Sequence, residues 1–269
     1  MKWKQFRLKL FCSRSFQNKT INKCNPNEQF VCGDFLYLGI KENKMSTILK
    51  LLQKTKEVKV IDSDIDYSEY VAIDLSSNNA DLAKIDVTSA ADFEAYIVNY
   101  LSKNNAKVGF GGYKEIRAIY QRSSVFKNDT SDERNIHIGM DLWIKAGTKV
   151  LAALDGTIHS FQNNTALGDY GPTIILEHQI ENNVFYTLYG HLSLESLNGK
   201  KVGTEVKKGE TIATLGASPI NGDYAPHLHF QIIIDMDNRF GDYPGVCNIK
   251  NLSLYSEICP DPNLLLKII

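Results

Sequence analysis

From Ile136 onward the chain breaks into short β-like runs: IHIGMDLWI, KVLAALDGTIHSFQ, PTIILEHQI, NNVFYTLYGHL, TEVKKGETIATLG and HLHFQIIID. Glycine-bearing turns separate them, and a new run begins roughly every 10–20 residues, the texture of an all-β sandwich or barrel. The predicted fold is mainly β. It is an antiparallel β-sandwich or open-barrel core preceded by a small mixed α/β N-terminal region.

Two of these runs carry polar groups that an apolar strand has no use for. In a strand, residues two apart share a face. In HLHFQIIID, His227 and His229 therefore project together while Leu228 and Phe230 point into the core. In IHIGMDLWI, His137 and Asp141 share a face, and Gly139 between them leaves room for an ion or a substrate. Imidazole and carboxylate groups cost several kcal/mol each if buried and unsatisfied. A metal ion removes that cost, and His nitrogen and Asp oxygen are ligands that zinc prefers. His191, in FYTLYGHLSLES, sits at a strand end where it can overhang a cleft. His159 and His178 have no such partners and read as surface or packing residues. The candidates outnumber the three protein ligands of a catalytic zinc, and the residues alone do not say which histidine of the HxH pair binds metal.

The rest of the chain adds organisation. MSTILKLLQKTK (45–56) reads as a short amphipathic helix. SAADFEAYIVNYLSKNN (89–105) reads as a longer one, capped by Ser89, with Phe93, Tyr96, Ile97, Tyr100 and Leu101 on one face. The glycines of KVGFGGYKE do not form GxGxxG, which argues against a phosphate loop. Net charge is -1 over 269 residues, which argues against nucleic acid as the main partner. The charge is uneven, because residues 1–44 hold nine Lys/Arg against three Asp/Glu. Lys9 and Arg14 interrupt every candidate apolar core of a secretory signal, so this segment reads as a basic, disordered leader. No apolar run approaches the ~20 residues of a membrane span. The five cysteines include no CxxC, and free thiols are the expected state. The expected divisions are a leader 1–44, an N-terminal helical or mixed region 45–133, a catalytic domain 134–247 and a docked tail 248–269.

The blocks IHIGMD, AGTKVLAALDGTI, YGHL, VKKGETIATLG and PHLHFQI, in this order over roughly residues 134–235, resemble the M23 metallopeptidase family of lysostaphin- and LytM-like zinc endopeptidases. The resemblance implies one Zn²⁺ per chain, held by His137, Asp141 and His229. It implies that His227 and His191 are catalytic histidines that do not bind the metal. The implied reaction is hydrolysis of a peptide bond by a zinc-activated water, usually within peptidoglycan stem peptides or cross-bridges. One of the two free histidines takes the proton, and the pair hydrogen-bonds the developing oxyanion. The chain is expected to act as a monomer on a peptide or peptidoglycan substrate. Two other readings stay open: a LytM-like domain that binds or regulates without catalysis, and a cytoplasmic zinc amidase or peptidase for small peptides. The missing signal peptide points to the cytoplasm, and a place in the cell envelope requires export by another route.

Overall fold

The computed structural model describes residues 45–122 and 133–268, so the leader 1–44 and its expected disorder lie outside the described residues. Residues 45–54 form helix α1, whose Ile48 and Leu52, one turn apart, are fully buried. A single 3-10 turn at Tyr67–Glu69, closed by a capping box from Asp66 and Glu69, feeds strand β1 (Tyr70–Ala72). Helix α2 (Ala90–Lys103) starts at Ser89, whose hydroxyl accepts a hydrogen bond from the Asp92 N–H. Its buried face is Phe93, Ile97 and Leu101, spaced four apart as an amphipathic helix requires. Strand β2 (Val108–Gly111) then lies parallel to β1. Parallel neighbours need a crossover connection, and α2 supplies it, which makes this the mixed α/β region.

Beyond it every pairing among the described strands is antiparallel. The strands are β3 (Ile136–His137), β4 (Met140–Trp143), β5 (Lys149–Leu151), β6 (Gly156–Asn164), β7 (Gly171–Ile180), β8 (Asn183–Gly190), β9 (Glu205–Val206), β10 (Thr211–Thr214), β11 (His227–Ile233) and β12 (Val246–Cys247). Helices α3 (Leu252–Ile258) and α4 (Asn263–Leu266) follow. Eight strands form one sheet in the order β1-β2-β4-β11-β8-β7-β6-β9, while β10 pairs with β5 and β12 with β3. Among the described strands the large sheet stays open and does not close into a barrel.

The sheet is buried on both faces where it matters. On β7, Ile174 and Leu176 join the main core with Phe230 and Ile232, while Ile175 joins a second core with Leu188 and Ile233. Burying side chains of this size is worth ~1.5–3 kcal/mol each. On β11 the alternation is split by chemistry. Leu228, Phe230 and Ile232 enter the main core, and His227, His229 and Gln231 alternate with them toward the other face. Ile48 and Leu52 of α1, Val60, Ile61, Leu265 and Leu266 bury in that same main core. Cys247 and Cys259 are buried free thiols. Among the described residues no helix is long and apolar enough to cross a membrane.

One local feature departs from the reading of IHIGMDLWI as a single strand. The run breaks at Ile138 and Gly139: β3 pairs with β12, whereas β4 joins the large sheet. Gly139 also clears space for a protein group and not for an ion or substrate. A Cβ there would lie 2.5 Å from Cε1 of His229, so the glycine makes room for that imidazole.

Candidate metal centre

Strand register assembles the site. Asp141 of β4 stands opposite His229 of β11, and His229 stands opposite Gly190 of β8 on its other side. His137 arrives on β3, held by pairing with Val246. His137 Nε2 lies 2.8 Å from His229 Nδ1. Both nitrogens lie 3.3 Å from Asp141 Oδ1. All three residues are buried.

Outer hydrogen bonds assign the tautomers. His137 Nδ1 lies 2.9 Å from the Gly112 carbonyl, and His229 Nε2 lies 2.9 Å from Gln231 Oε1. Both partners are acceptors, so each ring donates its N–H outward and turns a lone pair inward. Burial lowers the His137 pKa to about 4, which leaves the ring neutral at pH 7. Burial alone would raise the Asp141 carboxyl, but the His137 ring and the Arg117 guanidinium outweigh it and hold the group well below the usual carboxylate range. Asp141 Oδ1 has no hydrogen-bond partner. Three buried acceptor atoms thus face one another with no proton to share, an arrangement that costs free energy by itself. A cation resolves it. Two imidazole nitrogens and one carboxylate oxygen fit zinc with a fourth position left open.

His227 and His191 stand beside this cluster. His227 Nδ1 lies 2.8 Å from the Ala225 carbonyl and His191 Nδ1 lies 2.7 Å from the Asn221 carbonyl, so both rings carry their lone pair on Nε2. The rings sit 4.2 Å apart between centroids. His227 Nε2 is 3.9 Å from Asp141 Oδ1. Burial lowers the His227 pKa to about 4 and the His191 pKa well below its ordinary value, with His227 and His229 adding to the latter shift. His191 follows Gly190 in the left-handed region, at φ 62°, a conformation uncommon outside glycine. This bend ends β8 and sets the imidazole against His227 of β11. Both rings line an open cavity of about 490 Å³, within the range of small-ligand sites. His159 and His178 lie elsewhere: His159 stacks on Phe240, and His178 is buried between the Asp155 carbonyl and the Thr187 hydroxyl.

Several site residues went unread in the sequence. Gln231 continues the alternation of His227 and His229, so its place on their face was legible. The Trp143 indole stacks on His227 with centroids 3.9 Å apart, and the Tyr170 hydroxyl lies 3.4 Å from His229 Nε2. Tyr170 fits because Gly190 has no Cβ, which would approach its ring to 2.7 Å. Arg117, fully inside the protein, donates from Nη1 to Asp141 Oδ2. No sequence signal links Arg117 to Asp141.

The sequence model of peptidase family M23 matches residues 135–239. An uncharacterized metalloprotease of Haemophilus influenzae is 36% identical over 99 residues, which is 37% of this chain and 19% of that protein. The peptidoglycan DD-endopeptidase ShyC of Vibrio cholerae is 33% identical over 100 residues, 37% of this chain and 20% of that protein. The chain thus spans about a fifth of the length of the curated relatives it matches. Among solved structures, the catalytic domain of lysostaphin from Staphylococcus simulans is 25% identical with a TM-score of 0.34, covering 57% of this chain and 94% of that one. The HxxxD, GH and HxH blocks that supply the clustered histidines and aspartate all fall inside residues 135–239, the segment that matches the model of peptidase family M23.

Proposed function

We propose that this protein is a zinc-dependent metalloendopeptidase that hydrolyses peptide bonds in peptidoglycan stem peptides or cross-bridges. The observation that carries this reading is the cluster of His137 Nε2, His229 Nδ1 and the unpartnered Asp141 Oδ1, all within 3.3 Å of one another. In this reading those three atoms hold Zn²⁺, and His191 and His227 do not. The chemistry that zinc would supply there is Lewis acidity toward a water and a peptide carbonyl.

The remaining work belongs to the chain. His227 and His191 present Nε2 lone pairs beside the cluster, so either ring accepts a proton at Nε2 when water attacks. Once protonated, that Nε2–H donates to the developing oxyanion or returns the proton to the leaving amine. The outer bonds from Nδ1 to the Ala225 and Asn221 carbonyls fix both rings in the tautomer this needs. Trp143, stacked on His227, restricts that ring's rotation. Support for a peptidoglycan substrate comes from the likeness to a peptidoglycan DD-endopeptidase.

Digestion of purified sacculi by zinc-loaded protein, with released muropeptides separated by chromatography, tests the proposal. Wild type should release fragments with new amino termini, and His191→Ala should not. Intact sacculi with full metal content would favour a domain that binds without cleaving. Turnover of short soluble peptides but not of sacculi would favour a small-peptide hydrolase.

A further inference from the structure

Two of the four outer hydrogen-bonding contacts on the metal cluster come from outside the matched segment, which begins at residue 135. Gly112 supplies the carbonyl that receives the His137 Nδ1 proton, and Arg117 supplies the guanidinium that holds Asp141 Oδ2. The contacts of His229, to Gln231 and Tyr170, lie within the matched segment. We propose that Arg117 is a positioning residue for the metal centre, and that residues 112–117 complete the outer shell without which the three ligands do not bind zinc tightly. This rests on the zinc reading given above.

The geometry argues for a dedicated device. Arg117 is itself held from several directions. Its Nε donates to Glu115 Oε2, and its backbone N–H donates to the Asn135 carbonyl at 2.9 Å. Glu115 is fixed in turn, since its Oε1 accepts from the Leu75 N–H at 2.9 Å. The segment is laced to β3 by bonds from Lys114 N–H to the His137 carbonyl at 2.8 Å and from His137 N–H to the Glu115 carbonyl at 3.0 Å. At Gly112, φ is +98°, and a Cβ there would overlap Arg117 Nη2 and lie 3.0 Å from His137 Nδ1. That position therefore needs glycine both for its backbone and for the two groups it touches.

The chemical consequence concerns Asp141. A carboxylate beside a divalent ion can bind through one oxygen or two. Arg117 occupies Oδ2, so only Oδ1 faces the two imidazoles. The planar guanidinium also spans Glu115 and Asp141 at once, through Nε and Nη1. A lysine carries the charge at one rotatable point and lacks the planar fork that meets the two carboxylates at separate nitrogens.

Zinc affinity by competition with a chromophoric chelator tests this on wild type, Arg117→Lys and Glu115→Gln, beside the visible spectrum of the cobalt-substituted proteins and far-UV circular dichroism. Arg117→Lys is expected to bind zinc about 10–100-fold more weakly, with an altered cobalt spectrum and an unchanged fold. Glu115→Gln, which loosens Arg117 without removing it, should weaken zinc by a smaller factor. It keeps the test decisive if Arg117→Lys does not fold. Affinities within twofold of wild type and superimposable cobalt spectra would overturn the proposal while leaving the zinc reading intact. A wild-type protein that takes up no zinc would overturn both.

Discussion

His137 Nε2 and His229 Nδ1 face each other at 2.8 Å, each ring having donated its only proton to an acceptor on its far side. This pair accounts for more of the site than any motif does, because two lone pairs at that distance are stable only with something positive between or beside them. Zinc should therefore bind the folded state far better than the unfolded one. At 100-fold excess over its dissociation constant the ion adds ~2.7 kcal/mol of stability. Differential scanning calorimetry should show a higher Tm with zinc than with a chelator. In His229→Ala the two traces should coincide.

Gly139→Ala tests the packing of the same imidazole. The new Cβ would approach His229 Cε1 to 2.5 Å, and β4 and β11 are paired too tightly to part. Overpacking of this kind costs ~1–3 kcal/mol. Here the ring is the softest element, so zinc affinity should fall more than Tm does. Isothermal titration with zinc decides it. Wild-type affinity in the alanine variant would mean that the ring relaxes freely.

His191→Ala should leave zinc content unchanged and lower kcat on a cleavable peptide by about 10²–10⁴-fold, the usual contribution of a positioned acid or base. Its Nδ1 bond to the Asn221 carbonyl and its place off the end of β8 make no demand on the three ligand atoms. Loss of the metal in this variant would contradict the division of labour between the five residues.

His178 supplies a stability signal separate from the metal. It is fully buried on β7 and its pKa is lowered to about 4 by that burial. Unfolded histidine titrates near 6.5, so between pH 4 and 6.5 the unfolded chain binds more protons than the folded one. Its contribution is complete above about pH 6.5 and is lost as pH falls toward 4, amounting to ~3 kcal/mol over that window. Urea unfolding of wild type and His178→Gln at pH 7.5 and 5.0 should show a steeper loss on acidification for wild type. Parallel pH dependence would remove His178 as the source.

Much of this architecture was legible because it is periodic. The alternation in HLHFQIIID placed two imidazoles on one face and Leu228 and Phe230 on the other. The four-residue spacing of Phe93, Ile97 and Leu101 fixed the buried side of α2. Gly139 was misread because a missing side chain looks the same whether it makes room for a substrate or for a neighbour. Arg117 was silent for a different reason. Its bond to Asp141 spans 24 residues and two separate elements, and nothing in RAIYQR marks which carboxylate an arginine will meet.

The order β1-β2-β4 has a consequence for any shortened form of the protein. β2 lies along β4 with Gly111 opposite Asp141, so it occupies the border of the sheet that carries the aspartate. A fragment beginning at residue 133 would leave that border bare, with backbone amides and carbonyls open to whatever strand came near. Its first fault would be association with copies of itself, before any question of chemistry arose.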